Sequence, residues 1–243
     1  MSYNEELNNY LKNINFDNSI IFDIGANEGE ITNFILNNSN NSQINCIEPH
    51  PYNINILNNK FKNIKNIKIY DGAINTFDGT CKIGFENQQR KNGLKQGHVI
   101  ENTDLQGRNW NEKTEVKCYK LDNLCSKANI IKMDIEGFEH KVLPLSLEKL
   151  INVNTWMLEI HSWEDINLHG WTLKEHNFEK DSLNKLINLF IDNNYNNFII
   201  VKNSKRRIKA ITKDINWLDI PMSSYKFNNK TVYYKVINLI IKK

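Results

Sequence analysis

The sequence predicts an α/β fold, a mostly parallel sheet with helices on both faces, and three observations carry that prediction. Short apolar runs take turns with helix-spaced ones, a glycine-bearing turn joins the first run to a helix, and two strand-like segments close the chain. Strands separated by helical patterns pair in parallel, because each crossover lays its helix on a face of the sheet. The 243 residues, 40% hydrophobic and 24% charged, suffice for one core. No repeat or linker marks a boundary, so residues 1–243 read as a single domain.

Within residues 1–18, Leu7, Tyr10, Leu11 and Ile14 fall at helical spacing and predict an N-terminal amphipathic helix. "SIIFDIG" is the first strand, and "EITNFIL" follows as a helix with Ile31, Phe34 and Ile35 on one face. "QINCIEPH" is the second strand, "YNINILNNKF" the next helix and "NIKIYDGAI" the third strand. "TCKIGFEN" reads as an extra strand. Residues 87–113 are polar and punctuated by glycine, with no sustained period, and are expected to form a substrate lid or loop insertion. "TEVKCYKLDNL" then resumes extended structure.

"NIIKMDIEG" continues the alternation, with a short helix around His140 to Leu150 and "TWMLEIHSW" as the following strand. "EKDSLNKLINLFIDNN" is the clearest helix: Leu183, Leu186, Ile187 and Phe190 form a stripe, with Asp181 or Ser182 as its cap. "NNFIIV" and "TVYYKVINLII" are the two closing strands.

A formal charge of +3, from 31 basic and 28 acidic residues, is too slight to indicate a nucleic-acid partner. A small-molecule or glycan acceptor is expected instead. The four cysteines form no CxxC pair and have no histidine spaced to complete a zinc site, so they read as reduced thiols. "MSYNEELNNYLKNI" lacks the apolar stretch of a signal peptide, and no apolar run is long enough to span a bilayer. A cytoplasmic location follows as the expectation.

Three motifs carry chemistry. In "FDIGANEGEIT", Gly25 and Gly29 let the backbone approach a ligand, and the following helix start offers free N–H groups. The spacing is not the dinucleotide fingerprint G-x-G-x-x-G, which disfavours NAD. In "CIEPH", Glu48 ends the second strand, where an acid accepts hydrogen bonds from a ribose. Together the glycine turn and that acid predict a nucleoside site.

The third motif is "IIKMDIEGFEH", whose strand delivers Asp134 and Glu136 at its carboxyl end, beside the glycine turn and at the topological switch point. A carboxylate there can bind a cation, orient an amino group or take a proton. The competing reading has Asp134 and Glu136 capping the next helix and Glu139 paired on the surface with Lys141 or Lys132. Glu159 and His161 alternate by two on "LEIHSW" and point to one side of the next strand. His161 is a natural proton acceptor near neutral pH, with a satisfied strand-end histidine as the alternative. The four side chains Asp134, Glu136, Glu159 and His161 could also ring Mg²⁺ or Ca²⁺, but their spacing is not diagnostic and no metal is expected.

Acceptor recognition is less legible. Trp110, Trp163, His169 and Trp171 lie in or beside polar connections, as sugar-stacking aromatics or as anchors that close loops. Lys202, Lys205, Arg206, Arg207 and Lys209 form a basic run, able to hold a phosphate but expected as a solvated loop.

From Ser19 to Ser162, "FDIGANEGEIT", "IEPHP", "VKCYKLDNL", "IIKMDIEGFEHKVL" and "WMLEIH", in this order, resemble the FkbM family of S-adenosylmethionine-dependent methyltransferases. The resemblance implies a class I methyltransferase fold, Rossmann-like, with a seven-stranded mostly parallel sheet whose last two strands form a hairpin with one antiparallel member. It implies that the turn from Asp23 through Gly25, Ala26 and Asn27 to Gly29 holds the methionine part of S-adenosyl-L-methionine, and Glu48 its ribose. Gly72 and Ala73 would meet the adenine edge, and Asp134 the methyl end. Glu30 and Pro49, flanking these positions, complete the expected cofactor set, and Asp134, Glu136, Glu159 and His161 the expected catalytic set.

The activity so implied is O-methylation of a hydroxyl, most often on a sugar or glycan. The alternatives are methylation of an RNA ribose, a nitrogen or another small molecule, and a module that binds the cofactor without turnover. The modest charge and the lack of an N-P-P-Y-type amine site weigh against the RNA and nitrogen readings.

Overall fold

The computed structural model describes residues 11–85, 97–100, 112–163, 182–201, 209–211, 223–227 and 230–243. Its main sheet runs in the order β3 (Ile67–Asp71), β2 (Gln43–Glu48), β1 (Ile20–Ile24), β8 (Ile130–Met133), β9 (Thr155–Trp163), β13 (Lys230–Lys242), β10 (Asn197–Val201). The pairs joining β3, β2, β1, β8 and β9 are parallel, while β13 runs antiparallel to both its neighbours. These seven strands form the mostly parallel sheet with one antiparallel member that the family resemblance implies. Two strands extend it: β11 (Lys209–Ile211) pairs with β10, and β12 (Ser223–Phe227) with β13, so the closing pair is joined by further strands rather than by a tight turn.

The crossovers follow the expected helices. α1 (Glu30–Asn37) buries Thr32 and Ile35, and α2 (Pro51–Phe61) buries Ile54, Leu57 and Phe61. Proline opens α2 at a position whose N–H has no helical partner, and His50 caps it by accepting from the Tyr52 N–H at 3.1 Å. The strand after the long insertion ends in a single turn, α3 (Leu121–Leu124). Asp122 there receives Lys149 at 2.9 Å and Lys120 at 3.3 Å. Burial pushes its carboxyl up, but those lysines hold it below the usual carboxylate value.

α4 (Glu139–Ser146) continues into a 3₁₀ turn over Leu147–Lys149, which together make the short helix expected near His140 to Leu150. α5 (Ser182–Asp192) buries Leu186, Ile187 and Phe190. The expected Asp181 cap and the N-terminal helix before Leu11 lie outside the described residues; Leu11 and Ile14 themselves are buried. Two apolar layers sandwich the sheet. One centres on Trp156, whose indole N–H donates to Tyr195 Oη at 2.9 Å and whose ring meets Phe190 edge-on; the other packs Leu57, Phe61 and Ile35 over β1 and β2.

"NIKIYDGAI" is not one strand but two in different sheets. β4 (Ala73–Asn75) leaves the main sheet after Gly72 and pairs in parallel with β7 (Glu112–Lys120), within a second sheet ordered β4-β7-β5-β6. A Cβ on Gly72 would stand 2.6 Å from the Lys117 carbonyl oxygen, so glycine lets the backbone pass between the sheets. β5 (Gly79–Phe85) is the expected extra strand, and β6 (Gly97–Ile100) lies inside the stretch 87–113 expected as a loop. The rest of that stretch up to residue 111 lies outside the described residues.

Candidate functional site

The strand order reverses between β1 and β8, and at their carboxyl ends an open cleft encloses ≈ 700 Å³ of space, solvent included. Three chain segments shape it: the turn after β1, the end of β2, and the turn after β8. The second sheet adds a wall of Ala73, Ile74 and Ile83. Among the described residues this brings together Gly25, Asn27, Glu48, Pro49, Gly72, Ala73, Asp134 and Glu136 of the sequence-expected set.

The turn after β1 is sewn to β2 by the Gly25 N–H and the Ala26 N–H, both donating to the Ile47 carbonyl at 2.9 and 3.1 Å. Gly25 has φ 72°, and a Cβ there would collide with the Asp134 carbonyl oxygen. Gly29, at φ 75°, packs against Leu57 and Phe61 so closely that a Cβ would stand 2.7 Å from each. Thus Gly25 gives close passage beneath the cleft, whereas Gly29 gives close helix packing.

Beneath this turn Asp23 is fully buried and does not line the cleft. Thr32 Oγ1 donates to its Oδ2 at 2.6 Å, and Lys132 Nζ stands 3.2 Å from its Oδ1. Burial, with Asp23 close by, pushes the neighbouring Cys46 thiol up to about 12, so it stays neutral. Ala26 is buried off the cleft, and Glu30 is exposed in the first turn of α1, where a negative charge complements the helix dipole.

Glu48 is almost wholly buried. Its Oε2 accepts the Asn27 N–H at 2.9 Å, and its Oε1 accepts the His50 N–H at 2.9 Å and the Asn53 amide at 3.3 Å. Burial raises its carboxyl above the usual value, and these hydrogen bonds pull against that shift. Asn53 also lines the cleft and had no sequence signal beyond its place on an amphipathic helix.

On the other side, the Asp134 N–H donates to the Ile24 carbonyl at 3.1 Å, extending the β1–β8 ladder, while its buried Oδ1 has no hydrogen-bond partner among the described residues. Asn27 Oδ1 is likewise buried and unpaired. Glu136 adopts φ 57°, a left-handed conformation unusual for a residue with a side chain, and Gly137 follows at φ 100°.

Phe138, not Asp134 or Glu136, occupies the cap position of α4. Glu139 corrects the sequence expectation: it is not a surface residue but fully buried, and its Oε1 accepts the Ile135 N–H at 2.8 Å. A carboxylate there closes the turn that sets Glu136 in its left-handed geometry. Glu159 is partly exposed on β9, paired in register with Asn238, and is outside the lining of the cleft. His161 lies on β9 by its backbone, and its side chain is outside the described residues, as are Trp110, His169, Trp171 and the run from Lys202 to Arg207.

One chemical property suits this cleft to a nucleoside cofactor: buried acceptors, Asn27 Oδ1 and Asp134 Oδ1, that have no hydrogen-bond donor among the described residues. Among the described residues no group of three or more His, Cys, Asp or Glu side chains is placed to hold a metal ion. No described helix is long and apolar enough to cross a membrane.

The order of the seven strands β3-β2-β1-β8-β9-β13-β10, with β13 reversed among them and the cleft at the switch point, is that of the class I methyltransferases. The chain belongs to the FkbM methyltransferase family: the model described as the methyltransferase FkbM domain matches residues 23–197. It is an S-adenosylmethionine-dependent methyltransferase. No curated protein matches the sequence.

Among solved structures the chain is similar to precorrin-6y C5,15-methyltransferase from Geobacter metallireducens, with 10% identity, TM-score 0.43 and coverage of 98% of this chain and 85% of that one. It is similar to precorrin 8w decarboxylase from Methanobacterium thermoautotrophicum, with 9% identity, TM-score 0.46, and 98% and 89% coverage. A third is Aeropyrum pernix fibrillarin with natively bound S-adenosyl-L-methionine, at 8% identity, TM-score 0.43, and 96% and 74% coverage. Likenesses this remote say nothing about the acceptor.

Proposed function

We propose that the chain methylates a hydroxyl group of a sugar or glycan. The observation that carries this reading is Asp134 Oδ1, a buried carboxylate oxygen at the cleft with no hydrogen-bond donor among the described residues. A hydroxyl is a weak nucleophile that must shed its proton as it attacks, so an unpaired carboxylate oxygen is the group such an acceptor requires. The family resemblance points to sugars and glycans as the hydroxyl's bearer.

The cofactor, when bound, supplies an electrophilic methyl carbon on a sulfonium. Glu48 would accept the ribose hydroxyls on the lone pairs its three N–H donors leave open, and Asn27 Oδ1 would accept from the methionine part. Gly25 and Gly72 let the cleft's backbone pass close to Asp134 and Lys117, where a Cβ would clash, and so set its shape. Asp134 Oδ1 would orient the acceptor hydroxyl and take its proton. Glu136, which lines the same cleft, would add a second carboxylate beside the acceptor, whereas Glu159 lies outside the lining. Ile74, Ile83 and Ile135 shield the cleft from water, which strengthens each of these interactions.

The test is to incubate purified protein with S-adenosylmethionine and a panel of sugars, nucleotide sugars, glycans and short RNAs, and to locate new methyl groups by mass spectrometry. A methyl ether on a sugar or glycan is the expected product. Methylation confined to RNA or to nitrogen, or cofactor binding with no product from any acceptor, would overturn the proposal.

A further inference from the structure

Lys132 interrupts an apolar strand whose other members, Ile130, Ile131 and Met133, are fully buried. A charge in that setting is costly unless every donor is met. In the parallel register Lys132 lies directly beside Asp23, on the same face of neighbouring strands. Its ammonium carries three N–H donors, and three acceptors surround it: Asp23 Oδ1 at 3.2 Å, the Gly25 carbonyl at 2.7 Å and the Ile24 carbonyl at 3.3 Å. Burial would push the ammonium down, but Asp23, with Asp134 and Glu159 beyond it, holds it above the usual lysine value, so it stays charged.

The shortest of the three contacts is not to the carboxylate. It is to the Gly25 carbonyl, and both carbonyls belong to residues that line the cleft, so meeting the ammonium's donors also fixes the cleft's backbone. Gly25 in turn passes directly under the Asp134 backbone. One side chain therefore ties the turn after β1 to the strand that ends at Asp134.

We propose that Lys132 is a positioning residue for cofactor binding, which fixes the carbonyls of Ile24 and Gly25 and so sets the spacing between the glycine turn and Asp134. The proposal rests on the cleft being the cofactor pocket, which Glu48→Ala tests separately.

Melting temperature and calorimetric affinity for S-adenosylmethionine, measured side by side, separate positioning from simple structural support. Lys132→Met leaves Asp23 buried without its counter-ion, so both readouts fall. The double variant Asp23→Asn with Lys132→Met removes both charges; its melting temperature recovers most of the loss, while its affinity stays weaker than wild type by about tenfold or more, the scale of one lost charge-assisted hydrogen bond.

Lys132→Arg is the second arm. Its guanidinium keeps a partner for Asp23 but presents a planar fork that does not reproduce the ammonium's reach to both carbonyls, so it melts near wild type and binds more weakly. Wild-type affinity in either the double variant or the arginine variant would overturn the proposal.

Discussion

Glu48 and Asp134 end neighbouring limbs of one cleft, yet they are provisioned in opposite ways. Both oxygens of Glu48 already accept N–H donors, from Asn27, His50 and Asn53. Asp134 is fixed through its backbone and keeps a buried oxygen that has no hydrogen-bond partner among the described residues. A carboxylate held by several donors is rigid and suits a binding role, whereas one left with an open acceptor suits a role that changes during reaction. On the proposed reading the difference gives the cleft a holding end and a reacting end, told apart by local hydrogen bonding rather than by residue type.

The sharpest way to break this arrangement is at the joint between the two ends. Gly25→Ala places a methyl group against the Asp134 carbonyl and forces a side chain into φ 72°, where the conformational cost alone is about 1–2 kcal/mol. Cofactor binding measured by calorimetry should disappear, and the melting temperature should fall. A variant that binds normally would mean that the two ends are not coupled through this contact.

Glu48→Ala tests the holding end alone. It deletes the acceptor for the ribose and leaves the Asn27 and His50 N–H groups without their partner, so S-adenosylmethionine affinity should drop about a hundredfold, as for two lost charge-assisted hydrogen bonds. A loss of less than about threefold would place the ribose elsewhere.

A smaller effect sharpens the same point through pH. Burial raises the folded-state carboxyl of Glu48 above its ordinary value of 4.5. Between that value and the raised one the folded protein holds more protons than the unfolded chain, so this group's contribution to stability is full below the lower limit and is lost as pH rises through the window. Melting curves of wild type and Glu48→Gln should therefore differ in slope, with wild type losing stability relative to the variant as pH climbs above 4.5 toward neutrality. Parallel curves would mean that the Glu48 hydrogen bonds fully offset its burial.

Much of this was legible in the sequence because it is local. The glycine turn, the acid after β2 and the carboxylates after β8 are each a few residues long, and the alternation of apolar and helical periods fixed the parallel order. What was not legible depends on partners distant in the chain. Lys132 reads as a surface lysine until the register sets it beside Asp23 on another strand.

Glu139 sits in a polar run, and only the turn geometry reveals that its carboxylate folds back to the Ile135 N–H. The break at Gly72 follows from a clash with Lys117, 45 positions away in a sheet that no local pattern announces. β11 falls in a run read as basic loop, because three residues of strand carry too little pattern to outweigh charge.

The central claim is that the two ends of the cleft divide binding from chemistry. It is tested most directly with Asp134→Asn, measuring S-adenosylmethionine affinity by calorimetry and the single-turnover rate of methyl transfer to a hydroxyl acceptor drawn from the glycan panel. The account predicts affinity within about threefold of wild type and a rate lower by about a hundredfold or more, the usual worth of a positioned base. Wild-type transfer, or a loss of affinity that accounts for the whole loss of rate, would contradict it.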